Sequence, residues 1–596
     1  MKNIPQSFKI LYVVFGITFA IIIIKLYMLA IARHEYYNKL SLTNTIKTEI
    51  LVPTRGQILD RNNEPLAINE LGFTVALKNR LSKDEVEREL AFLAKHINDV
   101  NIDKLHSIYD KFNSIYRRTP VVLIDFIPYA QMQIVYSSLI QKKNIIITPT
   151  TKRFYPNNTS AAHVIGYIGA SDVFDREQDN VSKYTKVIGK QGLEKYYNGF
   201  LQGQLGKKVI QVNNLNQQLR LIDEELATSN NDIKISLDMR LQEKLDSVFS
   251  GYNGAAIIMN AHNGEILAAG SYPEYNINDF VGGISHQKYK ALLDNPYKPL
   301  INKLISGQYP PGSVVKMGMA LAFLEFTDIT EKTIVATPPF IEVNKHKFRD
   351  WKAGGHGSAD VYKAIRESVD VYFYKLSQIA GINNLAFIMN KIGFGQKTGI
   401  DLPYENAGIF PTPEWKMKNY AQQWYVGDTI VTSIGQGSFL ATPIQIARYT
   451  ALIASGKLVT PHFAKELGGV PTDMPIQDVL TKLESSKLPA LRLGMYQVCS
   501  DPLGTAYRVT RGTKIHLACK TGTAQVVGIA QDAVTRKRES DMEYWHRSQS
   551  WITAFLPYEN PRYVITILIE HGGGGGRGGP LLVQLANALY DLGYVR

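Results

Sequence analysis

The sequence predicts an α+β chain in three parts: an N-terminal membrane helix, a β-rich domain, and a C-terminal domain with an antiparallel sheet, helices on its faces and a helical subdomain. Three observations carry this. One long apolar stretch occupies residues 10–32. Residues 34–235 mix short β-rich runs with helical patches and include the polar break Ala227-Thr228-Ser229-Asn230-Asn231-Asp232. Beyond it come a strand hairpin, a long helical middle and closing strands, the order expected of an antiparallel sheet with helices packed against it.

At 596 residues the chain is too long for one ordinary core. Ile10 to Ala32 is apolar apart from Lys25. A span needs roughly 20 apolar residues, and the stretch qualifies when Lys25 snorkels to the interface. Lys2 and Lys9 precede it, which favours a cytoplasmic N-terminus. A cleavable signal peptide competes, because Ala30-Ile31-Ala32 has small residues at the right spacing. Lys25, Leu26, Tyr27 and Met28 sit where a polar cleavage region belongs and favour an uncleaved anchor. No later stretch is long and apolar enough to span, so the rest of the chain is expected on one side of a membrane. The expected division is a tail at 1–9, an anchor at 10–32, a non-catalytic domain at 33–232 and a C-terminal domain at 233–596.

Within 33–232, strands are expected at Lys47 to Val52, Phe73 to Leu77 and Asn144 to Thr148, and Glu85 to Leu93 has amphipathic helical spacing. The C-terminal domain opens with a strand at Ile233 to Leu237 and a helix at Met239 to Phe249. Ala255 to Asn260 reads as a buried strand, Asn263-Gly264 as a hairpin turn, and Glu265 to Ala269 as the returning strand. Helical patterns dominate from about 313 to 455. Strands return at Ile515 to Val526, Ser550 to Phe555 and Tyr563 to Ile569, and a last helix fits Leu581 to Leu592.

The formal charge is +13, which suits nucleic acid, an anionic membrane or an anionic wall polymer. No RNP signature, zinc finger or dense basic helix is present, so nucleic acid is the weakest of these. Two cysteines, Cys499 and Cys519, exclude a disulfide framework and a Cys-rich metal site, and they read as two buried thiols. Sparse cysteine fits an exported protein.

Three short motifs in the C-terminal half carry chemistry: Ser313-Val314-Val315-Lys316, Ser368-Val369-Asp370 and Lys520-Thr521-Gly522-Thr523. Ser-x-x-Lys alone is weak, since about two occur by chance in such a chain, and Ser285-His286-Gln287-Lys288 is a second copy. Ser313 follows Tyr309-Pro310-Pro311-Gly312 and opens a helical pattern. That spacing sets Ser313 and Lys316 on one helical face, beside exposed N–H groups and a positive dipole end. Ser285 lacks these features and reads as a loop residue. Lys397-Thr398-Gly399 follows a helix end, whereas Lys520-Thr521-Gly522 lies in a strand pattern, where Gly522 lets a substrate backbone lie close. Ser368-Val369-Asp370 draws its weight from standing between the other two. Such a set activates a serine without histidine.

On these motifs the chain resembles the class B penicillin-binding proteins, in their elongation-type branch known as penicillin-binding protein 2. The resemblance covers almost the whole chain. Arg55-Gly56-Gln57-Ile58-Leu59-Asp60-Arg61-Asn62, Arg153-Phe154-Tyr155-Pro156, His163-Val164-Ile165-Gly166 and Gly192-Leu193-Glu194 are similar to motifs of the family's non-catalytic pedestal. Ile434-Gly435-Gln436-Gly437 resembles a landmark of the transpeptidase domain. Arg349-Asp350-Trp351-Lys352 followed by Gly355-His356-Gly357 points to the elongation branch, as does Asp370 where many relatives carry Asn.

The resemblance implies a D,D-transpeptidase. Ser313 attacks the carbonyl between two terminal D-alanines of a peptidoglycan stem peptide, and Lys316, its pKa pulled down by burial and by Lys520, takes the proton. Ser368 passes a proton to the leaving D-alanine, and Asp370 orients Lys316 or Ser368. The N–H groups of Ser313 and Thr523 form the oxyanion hole, at about 3–4 kcal/mol per donor. Lys520, Thr521 and Thr523 hold the terminal carboxylate, and Gly522 gives it room. The amine of a neighbouring stem then takes the acyl group, and β-lactams acylate Ser313. Implied partners are a RodA-type glycosyltransferase, other elongation-complex proteins and the membrane, with no cofactor.

Some members of the branch hold zinc near the middle motif through Asp, His and Cys. Asp350 and His356 match part of that set, but Val369 stands where Cys is needed, so no zinc is expected. The alternatives left open are a membrane-anchored D,D-carboxypeptidase or serine β-lactamase, and a non-catalytic β-lactam sensor or elongation scaffold. A phosphate loop at Gly572 to Gly579 is disfavoured because the Gly-Lys-Ser/Thr ending is missing, and the run reads as a mobile loop.

Overall fold

The computed structural model describes residues 6–98, 100–114, 119–213, 218–228, 231–526 and 539–596. Lys2 of the tail, and Ser229 and Asn230 of the polar break, lie outside the described residues. The apolar stretch is helical: α1 (Gln6–Tyr27) runs into a short π-helical turn at Met28–Ala32. Every residue from Phe8 to Ala32 is exposed, as expected of a segment whose solvent is lipid.

The region after the anchor opens with a helix (His34–Thr45) and then mixes strands and helices. β1 (Ile46–Leu51) is its first strand. β2 (Ile58–Leu59) leads into the long β3 (Pro65–Leu77). Helix α2 (Lys83–His96) is started by a capping box, with Ser82 accepting from the Glu85 N–H and Glu85 accepting from the Ser82 N–H. β4 (Val121–Pro128) and β5 (Ile145–Phe154) flank β3, and their apolar faces with Leu90, Leu93 and Leu139 make a small separate core. β6 (Gly206–Val212) pairs with β1 and with β7 (Gln218–Glu225), a strand exposed along its whole length.

Three motifs distant in sequence meet below this lobe. Arg55 Nε donates to Glu194 Oε2 at 2.7 Å, and Arg153 Nε donates to Glu194 Oε1 at 2.6 Å. The Tyr155 hydroxyl donates to the same Oε1 at 3.1 Å. Glu194 is completely buried. Burial pushes its carboxyl up, and the two guanidiniums more than reverse that, leaving its pKa below the ordinary 4.5. Asp60, from the first of these motifs, accepts from the Met239 N–H at 3.2 Å and so ties the pedestal to the following domain.

β8 (Ile233–Ile235) pairs parallel with β2 and opens the C-terminal domain. Next come α3 (Met239–Phe249) and the hairpin β9 (Gly254–Asn260) and β10 (Ile266–Tyr272). The helical part includes α4 (Lys316–Phe326), α5 (Val361–Arg366), α6 (Asp370–Ala380) and α7 (Pro443–Ser455). β11 (Ala464–Leu467) pairs antiparallel with β8, so one sheet runs β11-β8-β2-β3 across both regions.

After α8 (Lys482–Ser500), β12 (Ala518–Ala524), β13 (Gln549–Leu556) and β14 (Tyr563–Ile569) complete an antiparallel sheet in the order β10-β9-β14-β13-β12. α9 (Gly579–Asp591) follows. Thr553 of β13 meets Thr450 of α7 at 2.8 Å, while its neighbour Ile552 packs against Gly578 at the start of α9. Neighbouring strand residues point to opposite faces, so α7 and α9 cover opposite sides of the sheet.

Two sequence expectations are corrected here. Cys499 and Cys519 are joined in a disulfide, not two thiols, with Cα atoms 6.0 Å apart. Strand alternation turns Cys519 away from the Lys520 side and toward the last turn of α8, where Cys499 stands. Ser285 is the N-cap of a helix (His286–Asp294) and accepts from the Lys288 N–H. That helix buries none of its residues, so it lacks the apolar stripe by which a helix is read from sequence.

Candidate active site

Ser313 sits in the 3-10 turn Gly312–Val315, which runs into α4. The Pro-Pro-Gly segment before it is held from both sides. Trp551 Nε1 donates to the Pro310 carbonyl at 3.1 Å, and the Gly312 N–H donates to the Gly435 carbonyl at 2.8 Å. Gly435 has φ +73°, and a Cβ there would lie 2.3 Å from the Gly312 carbonyl oxygen. Only glycine fits so close a backbone crossing.

Lys316 begins α4 with its side chain fully buried. Its Nζ donates to the Ser368 carbonyl at 2.9 Å, to Ser368 Oγ at 3.3 Å and to Asp370 Oδ1 at 2.7 Å. Among the described residues, Lys316 makes no hydrogen bond to Ser313. Ser368 stands between α5 and α6 with φ +57°, a left-handed conformation unusual for serine. Asp370 is the first residue of α6, where the helix dipole favours an anion.

The third motif lies on β12, the edge strand of the sheet. Lys520 is buried, and its Nζ donates to Ser368 Oγ at 2.9 Å and to the Thr521 carbonyl at 2.8 Å. Ser368 Oγ is thus held between two ammonium groups. Burial first, and then the Lys316 charge, push the Lys520 pKa well below its usual 10.5 against the pull of Asp370. Thr521 Oγ1 lies 2.7 Å from Thr505 Oγ1, and Thr523 Oγ1 accepts from the Gly575 N–H at 2.8 Å.

These groups surround a cavity of about 340 Å³ whose walls include Ser313, Ser368, Asp370, Thr521 and Thr523. Trp351 and Gln436 belong to motifs already noted in the sequence. Tyr374, Thr505 and Gln525 carried no signal of their own, and Gly575 and Gly576 were visible only as part of a glycine run. Gly575 belongs to the glycine run read as a mobile loop; in the structure that run packs on the cleft, where a Gly575 Cβ would sit 2.6 Å from the Gly522 carbonyl oxygen. The decoy Lys397 is far from this chemistry in role: its neighbour Thr398 is buried and donates to Glu405.

The zinc pattern is not completed. His356 Nε2 lies 3.1 Å from Asp350 Oδ1 and Nδ1 lies 2.8 Å from Glu367 Oε2, so both ring nitrogens face carboxylates. Burial lowers the His356 pKa, but the two carboxylates outweigh it and leave it raised. Val369 adds an apolar, fully buried side chain.

The chain is also similar to known proteins over most of its length. The Penicillin binding protein transpeptidase domain matches residues 254–591, and the Penicillin-binding Protein dimerisation domain matches residues 50–235. The chain is 33% identical to the peptidoglycan D,D-transpeptidase MrdA of Salmonella typhimurium strain LT2, over 99% of this chain and 96% of that one. It is 33% identical to MrdA of Escherichia coli K12, over 95% and 91%. Among solved structures it is similar to Helicobacter pylori PBP2 in complex with MreC, with 52% identity, a TM-score of 0.85, and coverage of 92% of this chain and 99% of that chain. A peptidoglycan synthase complex that coordinates polymerization and crosslinking gives 26% identity, a TM-score of 0.72, and coverage of 98% and 99%.

Proposed function

Because this chain belongs to the penicillin-binding protein family, with both its transpeptidase and its dimerisation domains, we infer that it is a peptidoglycan D,D-transpeptidase of cell-wall elongation, anchored in the membrane and acylated on Ser313. The observation that carries this reading is the meeting of three motifs at one oxygen: Lys316 and Lys520 both reach Ser368 Oγ, at 3.3 and 2.9 Å, beside the cavity that holds Ser313.

The reaction follows from the charges. The donor is a stem peptide ending in D-Ala-D-Ala, and its terminal carboxylate meets Lys520, Thr521 and Thr523 at the edge of β12. Gly522 lets the turn that carries Ser313 pack close on β12, a Cβ there lying 3.0 Å from the Pro311 carbonyl oxygen, and the donor backbone lies along the free edge of the strand. Ser313 Oγ attacks the carbonyl carbon of the penultimate D-alanine, and the oxyanion forms against the N–H groups of Ser313 and Thr523. Lys316 takes the serine proton. To do so its nitrogen must present a lone pair, so in the reacting complex its own proton has moved along its contacts with Asp370 or Ser368. Ser368 returns a proton to the leaving amine. The amine of a second stem then attacks the acyl-enzyme and forms the cross-link. A β-lactam enters the same path and stops at the acyl-enzyme.

Helicobacter pylori PBP2 is described in complex with MreC, and another relative in a synthase complex. On that likeness the chain works inside an elongation complex, beside an MreC-type protein and a RodA-type glycosyltransferase that polymerises the glycan. The N-terminus lies in the cytoplasm and the catalytic domain in the periplasm.

The test is reconstitution of the full chain with a RodA-type partner and lipid-linked precursor. Cross-linked product and free D-alanine, read by mass, are expected. Trimmed stems without cross-links would make it a carboxypeptidase, and rapid turnover of penicillin would make it a β-lactamase.

The Lys520 shift gives a pH dependence. A lysine is cationic below its pKa, so the carboxylate anchor is present at low pH and lost as pH rises through a value well below 10.5. The rate of penicillin acylation is expected to fall over that range. Lys520→Arg, which stays charged, should move the fall upward. A wild-type rate flat to pH 10.5 would overturn the assignment.

A further inference from the structure

The Cys499–Cys519 bond stands directly behind the catalytic strand. Cys519 precedes Lys520 on β12 and points to the opposite face, into α8. α8 touches the other motifs too. A Cβ on its Gly494 would lie 3.0 Å from Ile365 of α5, the helix that leads to Ser368. Just beyond Cys499, Asp501 pairs with Arg366 at 3.1 Å, and Thr505 reaches Thr521 at 2.7 Å. The covalent bond therefore joins the Lys520 strand to an element that also braces the Ser368 turn.

The two sulfurs differ in access. Cys519 is fully buried. Cys499 is half-buried and lines a separate cleft of about 210 Å³ with Tyr496, Tyr507, Arg511, Thr513 and His516. Arg511, stacked over the Tyr507 ring, and His516, paired with Glu559, stand at the mouth of this cleft.

We propose that Cys499 and Cys519 form an oxidation site, entered through Cys499, and that its disulfide sets the rate at which Ser313 is acylated. The partner is a disulfide-bearing oxidoreductase of the oxidising compartment. The Cys499 thiolate attacks one sulfur of the partner's disulfide and forms a mixed disulfide. The Cys519 thiolate then attacks the Cys499 sulfur and expels the partner as a dithiol. Two electrons pass to the partner, and the two thiol protons balance its two sulfurs. Reduction frees the rear of β12, and with it the Lys520 amine and the Thr523 N–H.

This inference rests on the acylation of Ser313 proposed above, and the two fail differently. If the oxidised full chain forms no adduct with fluorescent penicillin, the functional reading falls and this one with it. If it labels, its rate is compared with that of dithiothreitol-reduced protein whose two free thiols are verified by mass. Reduction is expected to slow acylation about tenfold, the scale of a small displacement in the site. Equal rates would overturn the proposal. Cys499→Ser/Cys519→Ser should match the reduced rate and ignore dithiothreitol; if the double variant does not fold, the wild-type redox pair still decides. Access is tested with oxidised glutathione: Cys519→Ala should be glutathionylated at Cys499, and Cys499→Ala should stay unmodified at Cys519. The reverse pattern would overturn entry through Cys499.

Discussion

Ser313→Ala is expected to abolish acylation by penicillin, a loss of about a millionfold, the scale seen when a nucleophilic serine is removed. Ser313 combines a place on the cavity wall with neighbours that move protons. The competing Ser-x-x-Lys copy is a sharp control. Ser285 spends its oxygen on capping a helix, and Lys288 is paired with Asp279 at 2.5 Å. Ser285→Ala should cost about 1 kcal/mol of stability from the lost cap and leave labelling intact. Mass spectrometry of the penicillin adduct reads both variants. An adduct on Ser285, or an adduct that survives Ser313→Ala, would defeat the assignment.

Glu194→Ala carries the largest expected effect on stability. It leaves Arg55 and Arg153 without their carboxylate, and Arg153 is almost wholly buried. Removing one partner of a buried pair costs about 3–5 kcal/mol, because the charge left behind is neither solvated nor compensated. The thermal midpoint of the full chain checks this, and a loss below about 1 kcal/mol would contradict it. The same carboxylate has a pH signature. Its folded pKa lies below 4.5, so its stabilisation is complete above the unfolded value and disappears as pH falls through the folded one. Glu194→Gln should flatten that acid limb. Acylation by Ser313 is the wrong readout here, since Glu194 acts on the pedestal.

What was legible in the sequence follows from what is local. The Lys520 motif announced itself as a strand, and Ser313 as the residue after a rigid turn, because both depend on neighbours within a few positions. The hairpin of β9 and β10 and the strands β13 and β14 were equally plain from their apolar runs. Ser368 was ordinary by composition; its left-handed backbone and its place between two ammonium groups depend on Lys316 and Lys520, 52 and 152 positions away. Thr505 enters the cleft by a hydrogen bond across the fold and left no local mark, whereas Gly575 lies in a glycine run that is visible as a loop but does not say where it packs. The disulfide escaped because two cysteines 20 residues apart have no signature spacing. The Ser285 helix escaped because it buries nothing.

The sheet that runs from β11 through β8 to β2 and β3 also bears on how the chain is made. β2 ends at residue 59 and pairs on one edge with the nearby β3, yet the strand on its other edge begins at residue 233, and the next strand at residue 464. A ribosome delivers these three pieces far apart in time. Until the last arrives, the nascent chain carries a strand edge with unmet backbone groups, open to any other extended segment. The N-terminal half produced by itself keeps that edge permanently, so it is the fragment expected to self-associate, whereas the whole polypeptide closes its own seam.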